Sequence, residues 1–192
     1  MLNRFVFIMF LLISGIVNAA DFKEIAIDFP DGASNNPVKL VFLGKIYDEK
    51  YHYSYMKKRV KQAKASKVET TIYNMVETYR STKDKKDILK LWSVDDKDTI
   101  SKKFSDKGLI EKNAAFYRNL SDTKLVATML YGDVVLVFVT HTIENSDFKP
   151  FIQVYPMIES DDVYLLTNKL KRDMFFTSFS SFVGDMILKK YQ

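Results

Sequence analysis

The stretch KLVATMLYGDVVLVFVTHTI, residues 124 to 143, decides the fold. Its two halves are rich in β-branched and apolar side chains and meet at Gly132-Asp133, the composition of a tight turn between two strands. In the second half Val135, Val137 and Val139 fall on one face of an extended chain, while Leu136 and Phe138 fall on the other. Both sheet faces are therefore apolar. One layer of helices covers one of them, and the other needs its own cover, because a bare apolar sheet is a sticky surface.

Downstream, residues 151 to 158 and 163 to 168 continue the extended pattern, separated by the turn-rich residues 144 to 149 and 160 to 162. Joins this short make consecutive strands antiparallel. A final helix is expected near residues 172 to 190, with Phe175, Phe179, Phe182, Val183 and Met186 as its apolar stripe. That stripe is the expected cover for the second sheet face; the alternative is a homodimer formed through the sheet.

Upstream the period changes to that of helices. Ser66 can cap a helix start and Glu69, three residues on, completes a capping box. Val68, Ile72, Met75, Val76 and Tyr79 follow at helical spacing, which predicts a helix over residues 67 to 81. Asp84 starts a second, shorter helix carrying Ile88, Leu91 and Trp92, and Ser93 with Asp96 starts a third carrying Ile100 and Phe104. Residues 107 to 121 read as a helical turn and a loop. Nearer the start, residues 24 to 29 and 38 to 47 form a hairpin around the turn-forming residues 30 to 37. Helices followed by an antiparallel meander make the fold class α+β.

The segments Tyr79-Arg80-Ser81 and residues 87 to 93, with Tyr131-Gly132-Asp133-Val134-Val135 and residues 164 to 168 leading to Asp173, resemble the nuclear-transport-factor-2-like (NTF2-like) superfamily. The resemblance covers about residues 66 to 176 and looks like the cone-shaped domain of many bacterial secreted proteins. It implies N-terminal helices packed on a strongly curved antiparallel sheet, with a pocket at the open end and an additional C-terminal helix. On this reading residues 66 to 192 form the domain, and residues 21 to 65 are a separate hairpin and basic segment. Tyr79 and Trp92 stand where such domains often line the pocket, and His141, Gln153 and Tyr155 face it from the strands. The alternative is that Tyr79 and Trp92 are core aromatics with satisfied polar tips.

Residues 1 to 20 read as a secretory signal: Arg4, an apolar core from Phe5 to Ile16, and the small residues Ala19 and Ala20 for cleavage after either. The apolar run is shorter than the roughly 18 to 20 residues a membrane span needs, so no anchor is expected after cleavage. With no cysteine among its 192 residues, the exported chain has no disulfide, which favours the bacterial periplasm or the medium. The formal charge of +5 is concentrated in Lys57, Lys58, Arg59, Lys61, Lys64 and Lys67, with no acid between them. Lys57, Lys58, Arg59 and Lys61 are the surface-interaction candidates, read either as a solvated face or as a surface for anionic headgroups or acidic glycans. No nucleic-acid motif accompanies them. Tyr51, Tyr53 and Tyr55 alternate beside that segment, and in an extended chain their rings share one side.

Catalysis has few footholds. Enzymes of the resembled superfamily commonly use a carboxylate or histidine base in an apolar cavity. Here the Asp and Glu residues of the strand region lie at turns and strand ends, Glu77 points away from the apolar arc, and Glu69 sits at its margin. His141 with Tyr155 as hydrogen-bond partner is the remaining acid-base candidate, against a structural reading of the same pair. Two histidines without cysteine form no zinc pattern, and Asp95, Asp96 and Asp98 read as the acidic first turn of a helix. No nucleophile elbow or phosphate loop occurs among the six glycines. The expectation is an exported, non-enzymatic binding protein without metal or cofactor, taking a small apolar or amphipathic ligand or an envelope protein partner. An isomerase or dehydratase using His141, and a component of an envelope assembly, are the alternatives.

Overall fold

A computed structural model of the chain describes residues 22–29, 38–144, 149–161, 163–174 and 176–177. The signal expected at residues 1 to 20 and the expected stripe Phe175, Phe179, Phe182, Val183 and Met186 lie outside them. The architecture is α+β. Strands β1 (Lys23–Phe29) and β2 (Val38–Ile46) come first. Helices α1 (Tyr53–Lys61), α2 (Lys67–Ser81), α3 (Lys85–Leu89), α4 (Lys97–Lys103) and α5 (Lys107–Arg118) follow, with a 3-10 turn at Val94–Asp96 ahead of α4. Strands β3 (Leu120–Tyr131), β4 (Val134–Ile143), β5 (Phe151–Ser160) and β6 (Val163–Leu166) complete the described order.

The six strands form one open antiparallel sheet in chain order, β1 through β6. Gly132, at φ 62°, makes the β3–β4 turn in the left-handed region that a glycine enters without penalty. The N-terminal hairpin, separate in the sequence reading, joins the same sheet: Gly44, Lys45 and Ile46 of β2 pair with Met129, Thr128 and Ala127 of β3. Only glycine fits at that seam, because a β-carbon on Gly44 would lie 2.4 Å from the Thr128 carbonyl oxygen.

Alternation along β4 divides the interior into two clusters. Val135, Val137 and Val139 face the helices with Ile72, Met75, Val76, Ile88 and Tyr117. Leu136 and Phe138 face outward with Ile25, Val126 and Met129, and Leu170 and Phe176 pack against that outer cluster. Of the helix expected near residues 172 to 190, only residues 172–174 and 176–177 are described; the stripe expected to cover this face lies outside the described residues. Register shifts between Leu120 and Asp122 and between Leu125 and Ala127 interrupt β3. Such bulges bend a strand and increase its twist.

Helix α2 has the predicted bounds and the full capping box: Glu69 N–H donates to Ser66 Oγ, and Ser66 N–H donates to Glu69 Oε2 at 2.9 Å. Two sequence expectations are corrected. Residues 107 to 118 are a full helix and not a turn and loop: Asp106 accepts from Gly108 N–H at 2.8 Å, and Ile110, Ala114 and Tyr117 form a buried stripe. The alternating tyrosines do not continue an extended chain, because α1 starts at Tyr53. Helical spacing then separates the rings, so that Tyr51 meets Tyr55 edge-on at 5.4 Å while Tyr53 stacks on Tyr73 at 5.8 Å.

Candidate functional site

A connected set of polar side chains crosses the helix-facing side of the sheet. His141 on β4 is fully buried, and both of its ring nitrogens are engaged. Nε2 lies 2.8 Å from the Tyr155 hydroxyl on β5, and Nδ1 lies 3.0 Å from the Thr123 hydroxyl on β3. The Tyr155 hydroxyl is also 3.1 Å from that of Tyr117 on α5. Tyr117 stacks on Tyr79 of α2 with ring centroids 4.9 Å apart, and Trp92 donates its indole N–H to the Tyr79 hydroxyl at 3.2 Å. Four of the five pocket candidates, Tyr79, Trp92, His141 and Tyr155, thus belong to one array. Gln153 lies opposite Val139 in the sheet and is exposed.

Each member is held by local structure. Arg80 donates from Nε to the Tyr117 carbonyl at 3.0 Å and from Nη2 to the Leu120 carbonyl at 3.1 Å. It therefore satisfies the open carbonyl end of α5 and fixes Tyr117 over the strands. Trp92 is set against β6 by two backbone bonds, Leu166 N–H to the Leu91 carbonyl and Ser93 N–H to the Leu166 carbonyl. The Asp96 carboxylate fastens that junction, accepting from Ser93 Oγ at 2.6 Å, Thr167 Oγ1 at 2.9 Å and Asn168 N–H at 2.9 Å. Asp96 stands in the acidic turn that the sequence predicts at the start of this helical segment, with Asp95 and Asp98, and in addition clamps two loops together. Burial alone would raise its pKa, but these three donors outweigh burial and hold the carboxyl below its ordinary value.

Burial sets the protonation of the array. Desolvation pushes His141 down to about 4, against the opposing pull of Asp122, so the imidazole is neutral near pH 7. Desolvation also raises the Tyr79, Tyr117 and Tyr155 phenols, which stay protonated. A neutral imidazole has one donor and one acceptor nitrogen. The chain from Thr123 through His141 and Tyr155 to Tyr117 can therefore carry its hydrogen bonds in either direction. In both arrangements the two His141 nitrogens are occupied, which leaves no free lone pair to act as a base.

Glu69 is the residue the sequence placed least well. At the margin of the apolar arc of α2 it is nevertheless only 2% exposed. Its carboxylate is occupied by Arg59, Nε to Oε1 at 2.6 Å, in addition to the Ser66 amide. Arg59 also donates to the Lys64 carbonyl at 2.5 Å. Of the four surface candidates, Arg59 is therefore turned inward, Lys57 lies over the Tyr53 ring at 5.9 Å, and Lys58 and Lys61 are exposed. The sequence reading does not single out Tyr117 or Thr123, and it names Arg80 only within the Tyr79-Arg80-Ser81 segment, without a role at the site.

No group of three or more His, Cys, Asp or Glu side chains that could hold a metal ion occurs among the described residues, and no described helix is long and apolar enough to cross a membrane. Compared with protein-family models, curated proteins and solved structures, the chain matches none.

Proposed function

We propose that this chain is an exported, non-enzymatic binding protein with the cone-shaped NTF2-like fold. It recognises a small apolar or amphipathic ligand, or an envelope protein partner. One observation carries the reading: the ionisable groups of the helix-facing interior satisfy one another. His141 is neutral with both nitrogens occupied, the three phenols are protonated, and the buried Glu69 carboxylate is paired with Arg59. Such an interior offers apolar contact and orienting hydroxyls but no free acid or base. The apolar segment from Phe5 to Ile16 supports export. Native mass spectrometry of protein purified from the periplasm is the test. A co-purifying small molecule or partner is expected; a bare chain, or protein found only in the cytoplasm, refutes the reading.

A second reading, an isomerase or dehydratase, has the 2.8 Å contact between His141 and Tyr155 in its favour. It requires a substrate to displace Thr123 or Tyr155 from the imidazole. Turnover that is lost in His141→Gln and retained in Arg59→Lys would establish it over the binding reading.

A further inference from the structure

We propose that the end of α1 is an electrostatic docking face for an anionic lipid surface. Lys58 and Lys61 are one helical turn apart, and Lys64 follows in the turn that Arg59 fastens through its bond to the Lys64 carbonyl. All three are exposed, and none has a carboxylate in ion-pair reach among the described residues. Other exposed lysines, Lys83, Lys86 and Lys102 among them, also lack an ion pair among the described residues, but acids stand close by in the chain, Asp84 and Asp87 beside Lys83 and Lys86 and Asp106 after Lys102. The segment from Lys57 to Lys67, by contrast, holds six basic residues and no acid. The arginine of the segment, whose planar fork suits bidentate recognition of a single phosphate, is committed to Glu69. What faces outward is three lysines, compact point charges on flexible stems that attract an anionic field without specifying a shape.

The neighbouring aromatic rings are not open stacking platforms. Tyr53 lies against Tyr73 and beneath Arg80 and Lys57, and Tyr55 lies beneath Arg59. Cations and rings of the protein itself thus already lie on these rings, which disfavours stacking by a sugar or a base beside these lysines. An extended surface of mobile phosphodiester headgroups needs no ring, because it binds through summed charge. The dipole at the C-terminal end of α1 favours cations there but does not neutralise them.

The test is co-sedimentation of the protein, purified as the cell produces it, with two kinds of vesicle: phosphatidylcholine alone, and phosphatidylcholine with about one third phosphatidylglycerol. Each lysine near an anionic surface strengthens binding roughly fivefold, so the triple variant Lys58→Glu, Lys61→Glu, Lys64→Glu is expected to lose roughly a hundredfold on the anionic vesicles. Binding should also fall as salt rises. The variant Lys83→Glu, Lys86→Glu, Lys102→Glu changes the net charge equally at other exposed sites and should retain most of the binding. Unaltered circular dichroism and urea midpoints establish that the variants are folded. Equal binding to the neutral vesicles, equal loss in both triple variants, or binding to dissolved polyphosphate without binding to vesicles would each overturn the proposal.

Discussion

Tyr155 and His141 share a 2.8 Å hydrogen bond between β5 and β4, and through Tyr155 the imidazole is coupled to Tyr117 on α5. One hydroxyl therefore links the sheet to the helical layer. Tyr155→Phe keeps the ring but leaves His141 Nε2 and the Tyr117 hydroxyl with an empty position in a buried environment. A cost of about 1 to 3 kcal/mol is expected, read as a lower urea midpoint at unchanged slope. A variant as stable as the parent would show that the two groups find other partners.

The same burial makes stability depend on pH. His141 has an ordinary value of 6.5 and a folded value of about 4, so between those limits the unfolded chain binds the extra proton. Its stabilising contribution is complete above about pH 6.5 and is lost as pH falls toward about 4, a difference of about 3 kcal/mol. Urea titrations at neutral and mildly acidic pH should show the loss, and His141→Gln should flatten it. An imidazole NMR signal titrating near its ordinary value would contradict the assignment.

Arg59→Met should cost more than a surface charge normally does, because it strands the Glu69 carboxylate where water does not reach. A loss of about 2 to 4 kcal/mol is expected, below the full value for an interior pair because 28% of the Arg59 side chain stays exposed. Lys58→Met one position away should stay within about 0.5 kcal/mol. Thermal melts of the two variants make the comparison, and equal shifts would count against the pairing.

The one tryptophan of the chain reports on the Asp96 clamp. Asp96→Ala removes the acceptor for Ser93, Thr167 and Asn168, which frees the junction holding Trp92 on β6. Fluorescence emission should move to longer wavelength as the indole gains water, with a stability loss of about 1 to 3 kcal/mol. An unchanged spectrum would mean that the two backbone bonds to Leu166 suffice.

Features written into neighbouring residues were legible before any coordinates. Helix α2 follows from Ser66, Glu69 and an apolar spacing, and β4 follows from alternating valines, so their bounds agree with the sequence reading. His141 and Tyr155 were legible as a pair because both sit among apolar strand residues. Tyr117 escaped because Gly108 and the polar residues 111 to 113 hide a helix whose markers, Asp106 ahead and Ile110, Ala114 and Tyr117 at helical spacing, were present. Glu69 escaped for a different reason. Its burial depends on Arg59, and the alternating tyrosines ahead of Arg59 imitate a strand, which conceals the helix that delivers the guanidinium. The contact between Tyr79 and Trp92 depends on how α2 meets the edge of β6, which no local pattern encodes.

The narrow seam between β2 and β3 has a consequence for how the molecule opens. Among the described residues, Gly44, Lys45 and Ile46 pair β2 with β3 and Tyr47 N–H adds one bond to the Val126 carbonyl, whereas β3 and β4 are zipped along nearly their whole length. Peeling the first two strands away breaks few rungs and leaves the His141 layer sealed. Their amides should therefore trade hydrogen for deuterium through a partial opening, well before those of β4, which wait for the whole molecule to come apart.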